Sequence, residues 1–381
     1  MKVDETKLKE VHLPSPEQGQ TPILSVNKTN NRLLYRNYET KILIDAIFAD
    51  FALSSDGMLR NTTQLIASDM MGNHRLGLTV MSQSYNWVPD FVASYAYLAR
   101  RTDMGVSLFN FHEYHLIPGG YGILQRLTGL VGSLSYPINR YRRIDADLTL
   151  YTTPLDYRFI PSGVRNYADR VLLIIGDLAY VGDSTKWNEF GPYTGARYNL
   201  TVERSFKSLG SELSMTNVSL DARKYFKLGS RSVFATRLIA AGSFGDTHRR
   251  FYLGGIDTLR GYKYEELVGT RAGLLNLEIR LPFVEEIRFG WPFRWGIRGI
   301  RGIIFSDFGT VWSENRWTNT PYKPWEIVNG NFQLVDVKGS IGIGLRLHLG
   351  YFTLDFDVAR KTNLAKIEPD VVYHFGLGQE F

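Results

Sequence analysis

The chain has 381 residues, which is long for one globular domain but within the size range of a large barrel. Hydrophobic residues make up 44% and charged residues 22%, a composition that excludes a disordered chain. The absence of cysteine excludes disulfide bonds, thiolate catalysis and cysteine-ligated zinc, and it suits an oxidising compartment such as the periplasm or a cell surface. The formal net charge of +6 is modest and spread along the chain.

Residues 1–36 are polar and show no periodicity, which predicts a linker or flexible N-terminal arm, although an ordinary frayed terminus fits equally well. The first ten residues lack the apolar core of a secretion signal, so we expect an exported chain to be a fragment or an already processed form. The sequence contains no run of about 18 apolar residues, so it predicts no membrane-spanning helix.

Residues 37–381 are predicted to form one domain made of strands. The dominant signal is an alternation of apolar and polar residues, clearest in Leu275–Leu281, Ser340–Leu349 and Phe352–Arg360. The polar positions of these segments carry charges at Glu278, Arg280, Arg346, Asp355 and Asp357. A soluble β-sandwich shows the same alternation, so the number and length of the strands must distinguish it from a membrane-spanning barrel.

Segments of roughly nine to thirteen residues are near the length that crosses a bilayer as a tilted strand. We place sixteen of them, starting near Lys41, Thr63, Leu76, Phe91, Met104, Thr128, Ile144, Arg170, Gly195, Ser214, Ser232, Arg271, Arg298, Lys338, Phe352 and Val371.

The connections between these segments alternate in length. The short connections include residues 71–74, 102–103, 139–142 and 349–350, and the long ones include residues 157–169, 245–270 and 313–337. Short turns on one rim and long loops on the other are typical of outer-membrane barrels. The sequence therefore predicts an all-β fold, a transmembrane antiparallel β-barrel of about 16 strands. The interval 182–194 is long for a short rim and is the weakest part of this assignment.

The densest basic cluster is Tyr136–Arg143. It is too short for a nucleic-acid footprint and belongs to no known nucleic-acid-binding module, so we interpret it as a solvated turn and expect no nucleic-acid partner.

One loop, Phe251–Tyr262, carries the most informative motif. Its tetrad Leu259-Arg260-Gly261-Tyr262, preceded by Leu253–Gly255, resembles the loop signature of the BamA/TamA outer-membrane assembly superfamily, also called the bacterial surface antigen family. Asn276–Pro282 and Phe305–Gly309 resemble the next two strand motifs of that family, in the same order. More weakly, Ser68–Arg75 resembles an early hairpin of family barrels that are attached to propeller-like periplasmic domains.

The resemblance implies that the tetrad folds back into the barrel as a lumen latch. A guanidinium inside a barrel is costly unless it is paired, and Glu278 and Asp307 are predicted to face the lumen from neighbouring strands, where they can hold Arg260. The expected latch residues are Leu259, Arg260, Gly261, Tyr262, Glu278, Phe305, Asp307 and Gly309. The alternative is that these charges are unrelated surface residues.

The last segment, Val371–Phe381, places apolar and aromatic residues on one face of a strand. Together, Tyr373, Phe375, Leu377 and the terminal Phe381 resemble the C-terminal assembly signal of bacterial outer-membrane barrels. Gln379 departs from that signal, because an apolar or aromatic residue is usual at its position. A plain last strand is the alternative.

By resemblance, the protein is expected in the bacterial outer membrane, where it inserts or translocates client polypeptides. The first and last strands, near residues 41–53 and 371–381, are expected to pair incompletely and form a lateral seam. The expected partners are membrane lipid, client polypeptides, and a periplasmic domain or lipoprotein. Family members carry client-handling domains before the barrel, and residues 1–36 are too few for one, so we expect a removed domain or a partner chain.

Other functions remain as alternatives: a passive outer-membrane pore, a membrane anchor for a missing periplasmic domain, and a barrel lipase. Neither a Gly-x-Ser-x-Gly elbow nor a phosphate-binding loop supports an enzyme, and we predict no catalytic residue and no cofactor. His112 and His115 should diverge in a strand, so we predict no metal site.

Overall fold

The computed structural model describes most of the chain from residue 40 onward, together with two short segments before it. The described residues are 23–26, 33–36, 40–54, 59–83, 86–117, 121–154, 170–188, 191–229, 231–288, 290, 296–313, 324–328, 331–348, 353–363 and 366–378.

Nearly all of the regular structure is β-strand. The strands are β1 (Ile23–Val26), β2 (Leu33–Arg36), β3 (Ile42–Ser54), β4 (Leu59–Asp69), β5 (His74–Gln83), β6 (Asn86–Tyr97), β7 (Asp103–Ile117), β8 (Tyr121–Asn139), β9 (Arg142–Pro154), β10 (Arg170–Asp183), β11 (Lys186–Asn188), β12 (Gly191–Ser205), β13 (Met215–Lys227), β14 (Val233–Gly245), β15 (Phe251–Leu253), β16 (Leu267–Gly269), β17 (Arg271–Arg288), β18 (Gly296–Trp312), β19 (Trp325–Val328), β20 (Asn331–Leu334), β21 (Lys338–His348), β22 (Thr353–Thr362) and β23 (Ile367–Gly378).

One antiparallel sheet closes into a barrel when β23 pairs with β3. Sixteen long strands and the short β11 form its wall within the described residues, while β1–β2, β15–β16 and β19–β20 are separate hairpins. The predicted barrel of about 16 strands is confirmed. Several strands are longer than predicted, and β8 reaches 19 residues. Hairpins can continue past the bilayer because their paired backbone groups remain satisfied.

Side chains alternate between the two faces of the wall. On β8, Leu130, Leu134 and Tyr136 point outward with exposures of 39%, 50% and 42%. On β17, Glu278 and Arg280 point inward and are each 1% exposed. The outward face is therefore apolar and the inward face polar, the pattern of a barrel whose outer surface meets lipid.

The two rims differ in the length of their connections. The short-turn rim carries the turns between β4 and β5, between β6 and β7, and between β8 and β9. The long-loop rim carries the connections 246–270 and 313–337, which follow β14 and β18. The interval 182–194, the weakest part of the prediction, holds the short strand β11 and the first residues of β12.

Some expectations concern parts outside the barrel wall. The predicted N-terminal arm contains the hairpin β1–β2, and the boundary at residue 36 stays a prediction. Residues 349–350, 157–169 and Phe381 lie outside the described residues. Among the residues that are described, no helix is long and apolar enough to cross a membrane.

The loop from β14 to β17 returns into the barrel interior. Its hairpin β15–β16 packs beside β17 and β18 and contributes to the largest buried apolar cluster of the described chain. This cluster consists of Leu253, Leu259, Tyr262, Leu267, Ala272, Leu274 and Val311. The core of the molecule is thus a loop seated against the inner wall.

Candidate functional site: a loop held inside the barrel

The returning loop is closed at its base by backbone geometry that only glycine supplies. Gly254 has a φ of +123°, and a Cβ atom there would lie 2.1 Å from the carbonyl oxygen of Lys263. The hydroxyl Oγ1 of Thr258 accepts a hydrogen bond from the N–H of Gly254 at 2.9 Å. The N–H of Gly255 donates to the carbonyl oxygen of Tyr262 at 3.1 Å. The base is therefore narrow, and the tetrad projects from it into the interior.

Arg260 is at the centre of the site and is only 1% exposed. Its Nε and Nη2 donate to the two carboxylate oxygens of Asp307, both at 2.7 Å, and its Nη1 donates to Oε1 of Glu278 at 2.7 Å. The backbone N–H of Arg260 also donates to Oδ2 of Asp307, at 3.2 Å. A third carboxylate, Asp357, lies 3.8 Å from Nη1. The structure thus brings the three predicted charges together, in a forked geometry that suits arginine and not lysine.

Two further arginines complete the charge network on the inner wall. Arg280 donates from Nε and Nη2 to Oε2 of Glu278 at 3.0 and 2.8 Å. Arg346 donates to both oxygens of Asp357 at 2.6 and 3.0 Å, and its Nε lies 3.1 Å from Asp355. Carboxylates outnumber guanidiniums by one in this network. Arg260, Arg280 and Arg346 therefore each have carboxylate partners that offset the loss of their hydration.

The electrostatic environment keeps Arg260 charged. Burial alone lowers the pKa of its guanidinium, but the negative charges of Asp307 and Glu278 raise it more, so the pKa lies above its usual value. The ring of Phe305 lies beneath the guanidinium, with 3.6 Å from Cζ to the ring centroid. Arg260 is thus clamped by carboxylates at its edge and by an aromatic ring on its face.

The other tetrad residues contact neighbouring strands. Leu259 is fully buried against Gly309, where an added Cβ would lie 3.3 Å from its Cδ2. The hydroxyl of Tyr262 lies 3.4 Å from the carbonyl oxygen of Gly339, and Nζ of Lys361 is 4.3 Å from the ring centroid of Tyr262. All eight predicted latch residues therefore meet in one region, between the loop and strands β17, β18, β21 and β22.

Gly261 approaches the wall most closely. Its φ is +87°, and a Cβ atom would lie 3.2 Å from Cβ of Ser340 and 3.4 Å from Cβ of Ala359. Its N–H donates to Nε2 of His374 on β23 at 2.7 Å. The last strand is therefore joined directly to the loop.

Sequence reasoning missed His374 and Asn276 as members of this site. His374 alternates with Tyr373 and Phe375, so the period of two already placed it on the inner face, although nothing indicated its partner. Asn276 donates from Nδ2 to Oδ1 of Asp307 and to the carbonyl oxygen of Thr258, both at 2.8 Å. Asn276 lies inside the motif Asn276–Pro282, where the alternation of apolar and polar residues already indicated that its side chain faces the lumen.

The predicted C-terminal signal residues lie on the outer face of β23 as far as the structure describes them. Tyr373 is 64% and Phe375 is 37% exposed, and Leu377 is half-buried. The side chains of Tyr373, Phe375 and Leu377 face the exterior of the barrel and not its lumen. Their role in assembly stays a prediction.

The histidine motif near residue 112 has a partner other than a metal. The ring Nδ1 of His112 lies 2.7 Å from Oδ1 of Asp90, and the same oxygen accepts the backbone N–H of His112 at 2.9 Å. Within the described residues, no three His, Cys, Asp or Glu side chains are grouped so that they could hold a metal ion.

Comparison with known families decides the relationship. The Omp85 superfamily domain matches residues 74–381, which is most of the chain.

The chain belongs to the Omp85 superfamily.

This finding confirms the resemblance stated from the loop motif and places the barrel in the bacterial outer membrane. Among solved structures, BamA from Haemophilus ducreyi lacking POTRA domains 1-3 is similar, with a TM-score of 0.69, 17% identity, and coverage of 95% of this chain and 75% of that one. CdiB from Escherichia coli is similar with a TM-score of 0.55, 15% identity, and coverage of 95% of this chain and 67% of that one. At these identities the likeness concerns the fold alone. No curated protein sequence matches the chain.

Proposed function

We propose that this Omp85 barrel inserts client polypeptides into the outer membrane, or translocates them across it, through a seam between β3 and β23 with the Arg260 loop as a lumen latch. The role is one of binding and templating, and no residue acts as a chemical catalyst. The clients are outer-membrane or secreted polypeptides, with a periplasmic domain or lipoprotein as further partner.

The sparse pairing between β23 and β3 carries the proposal. In the described residues, the register joins only Gly376 with Ser54 and Leu377 with Leu53. By contrast, β3 pairs with β4 continuously from Ile42 to Leu53, apart from one irregularity. As far as the described residues go, most of β3 therefore has no partner strand on this edge, and such an edge is a template for an added strand.

The exposure of β3 supports the same interpretation. Adjacent residues in a strand point to opposite faces, yet Leu43 and Ile44 are 63% and 64% exposed, and Ile47 and Phe48 are 63% and 56% exposed. Neither face of β3 is therefore covered by the described residues at these positions. Unpaired backbone groups are costly in a bilayer, so a client strand that pairs with them is stabilised there.

A disulfide across the seam tests the proposal. The chain has no cysteine, so L53C/L377C introduces the only pair. We prefer this pair to the neighbouring one because a side chain at Gly376 would lie 3.1 Å from Ile256. Insertion of an unfolded client barrel into liposomes is expected to stop when the pair is oxidised and to recover on reduction.

The matched control is S219C/A241C, which joins β13 and β14 where they are already fully paired. Oxidation of this control should leave insertion unchanged. Undiminished client insertion by an oxidised L53C/L377C barrel would contradict the seam.

A further inference from the structure

The basic cluster noted in the sequence lies on the short-turn rim, away from the loop and from the seam. Two tyrosines and four arginines, named here the rim patch, make up its surface: Arg100, Arg101, Tyr136, Arg140, Tyr141 and Arg142. All six are exposed. The insertion mechanism proposed above uses none of them.

Hydrogen bonds join successive turns of this rim into one surface. The N–H of Leu98 donates to the carbonyl oxygen of Asn73 at 2.7 Å, which links the first turn to the second. Nη2 of Arg101 donates to the carbonyl oxygen of Pro137 at 3.3 Å, which links the second turn to the third. The N–H of Asp183 donates to the carbonyl oxygen of Tyr141 at 2.8 Å, which links the third to β10. The turns that carry the charges of the patch are therefore held side by side.

The patch has an excess of positive charge. Within the described part of the chain, none of its four arginines forms an ion pair. The nearby carboxylates of Asp145 and Asp183 face other arginines, Arg143 at 2.8 Å and Arg197 at 3.9 Å. Asp103 is half-buried and offsets one charge only. The patch therefore offers free cationic groups to a negatively charged partner.

The position of the tyrosines distinguishes lipid from a soluble protein as that partner. Tyr136 continues the outward row of Leu130 and Leu134, so its ring lies where the apolar band of the wall ends. Cζ of Arg101 lies 4.8 Å from the ring centroid of Tyr136, and Cζ of Arg140 lies 4.8 Å from that of Tyr141. Aromatic rings at the end of an apolar band mark the headgroup level of a membrane. The guanidinium of Arg101, which lies over the outward ring of Tyr136, is therefore at the level of the headgroups.

Apolar residues beside the patch agree with this placement. Met70 in the first turn is 73% exposed, and Ile138 before the third turn is 43% exposed. Such apolar side chains are more stable at the boundary between headgroups and acyl chains than in water.

We infer that the rim patch binds anionic phospholipid headgroups of the leaflet that surrounds the short-turn rim, with the arginines contacting the phosphates. Binding by the rim patch selects anionic over zwitterionic lipid at one side of the barrel and fixes the depth of that side in the membrane. The inference does not depend on client insertion.

Native mass spectrometry of the barrel from nanodiscs with equal phosphatidylglycerol and phosphatidylcholine tests it. The wild type should retain phosphatidylglycerol in excess. The variant R101Q/R140Q/R142Q should lose most of that preference, at about fivefold for each arginine removed. Raising the salt concentration should weaken the wild-type preference and leave that of the variant unchanged.

The matched control is R204Q/K207Q/R249Q, which removes three exposed cations near the long-loop rim. It should keep the wild-type lipid ratio. An unchanged ratio in R101Q/R140Q/R142Q, or an equal fall in the control, would overturn the inference. So would binding of an acidic peptide at the patch that phosphatidylglycerol does not displace. A heat-dependent shift in gel mobility verifies that each variant is folded.

Discussion

At the scale of single residues, Arg260 shows how a buried charge can be stable inside a barrel. The residue is 1% exposed, and its guanidinium is bonded to Asp307 and Glu278 at its edge and covered by the ring of Phe305 on one face. A buried ion pair is weak evidence of net stabilisation, but breaking one leaves an uncompensated charge. The pairing of Arg260 therefore fixes where the loop lies, and breaking it is expected to destabilise the barrel.

The first prediction concerns the fork of Arg260. In R260K the charge remains, but one ammonium cannot reproduce the bonds to both oxygens of Asp307 and to Glu278. We expect the free energy of unfolding to fall by about 3 kcal/mol. The measurement is urea unfolding in lipid vesicles, followed by tryptophan fluorescence.

The control for this prediction is R249K. Arg249 contacts Glu203 at 3.0 Å, with side-chain exposures of 55% and 23%, so its replacement should cost less than about 1 kcal/mol. Equal losses in the two variants would show that the fork adds nothing beyond a surface pair.

The second prediction separates backbone strain from close packing at Gly261. G261A introduces a Cβ at a φ of +87° and 3.2 Å from Ser340, whereas G72A introduces one at a φ of +71° with nothing within 4 Å. Both should cost about 1 kcal/mol of left-handed strain, and G261A should cost more because the loop must move. Proteolysis of residues 246–270 should accelerate in G261A and stay unchanged in G72A. Equal protection of this loop against proteolysis in both variants would exclude a tight contact between Gly261 and Ser340.

At the scale of elements, β23 contacts both β3 and the returning loop. Its outer face carries Tyr373 and Phe375, one of its edges pairs sparsely with β3, and its inner face offers His374 to the loop. Pairing on the other edge, with β22, runs from Thr353 with Gly378 to Thr362 with Ile367, with one irregularity. A movement of β23 away from β3, as the proposed function requires, would therefore disturb the bond at Gly261.

The third prediction tests this connection through His374. H374A removes the acceptor of the Gly261 N–H and leaves a buried donor without its partner, at a cost of about 1–3 kcal/mol. Hydrogen exchange at the amide of Gly261 should accelerate, while exchange in β13, far along the sheet, should not change. Unaltered exchange at Gly261 would show that β23 and the loop are independent.

At the scale of the whole molecule, the returning loop places a charged plug in the interior. It contributes Leu259, Arg260 and Tyr262 to a region that they share with four wall strands. A loop in this position would distinguish the barrel of the proposed function from a passive pore, whose lumen would be open.

The fourth prediction distinguishes these two classes by electrical conductance in a planar bilayer. The wild type should show low and fluctuating conductance, and R260A should raise it because the plug loses its attachment to Asp307 and Glu278. R249A, which alters a charge in the same loop outside the network, is the control and should behave as the wild type. A large, constant conductance that R260A leaves unchanged would identify a passive pore.

The sequence alone was sufficient for the fold class and for the approximate position of each of the sixteen long barrel strands, but not for the short β11. The period of two and the alternation of short and long connections are local properties, and they depend only on strands having two faces and a bilayer having a fixed thickness. The meeting of Arg260 with Asp307 and Glu278 was also predictable, because a motif order and a known inward face together restrict where a guanidinium can go.

Only the tertiary structure decided which strands share the remaining contacts. The bond from Gly261 to His374 joins residues 113 positions apart, and no local pattern encodes such a pairing. The same holds for the sparse register between β23 and β3, which depends on how the whole sheet curves and closes. Likewise, Tyr136–Arg143 is only a short basic run in the sequence. It becomes part of the rim patch because consecutive antiparallel hairpins place the turns of β6–β7 and β8–β9 side by side.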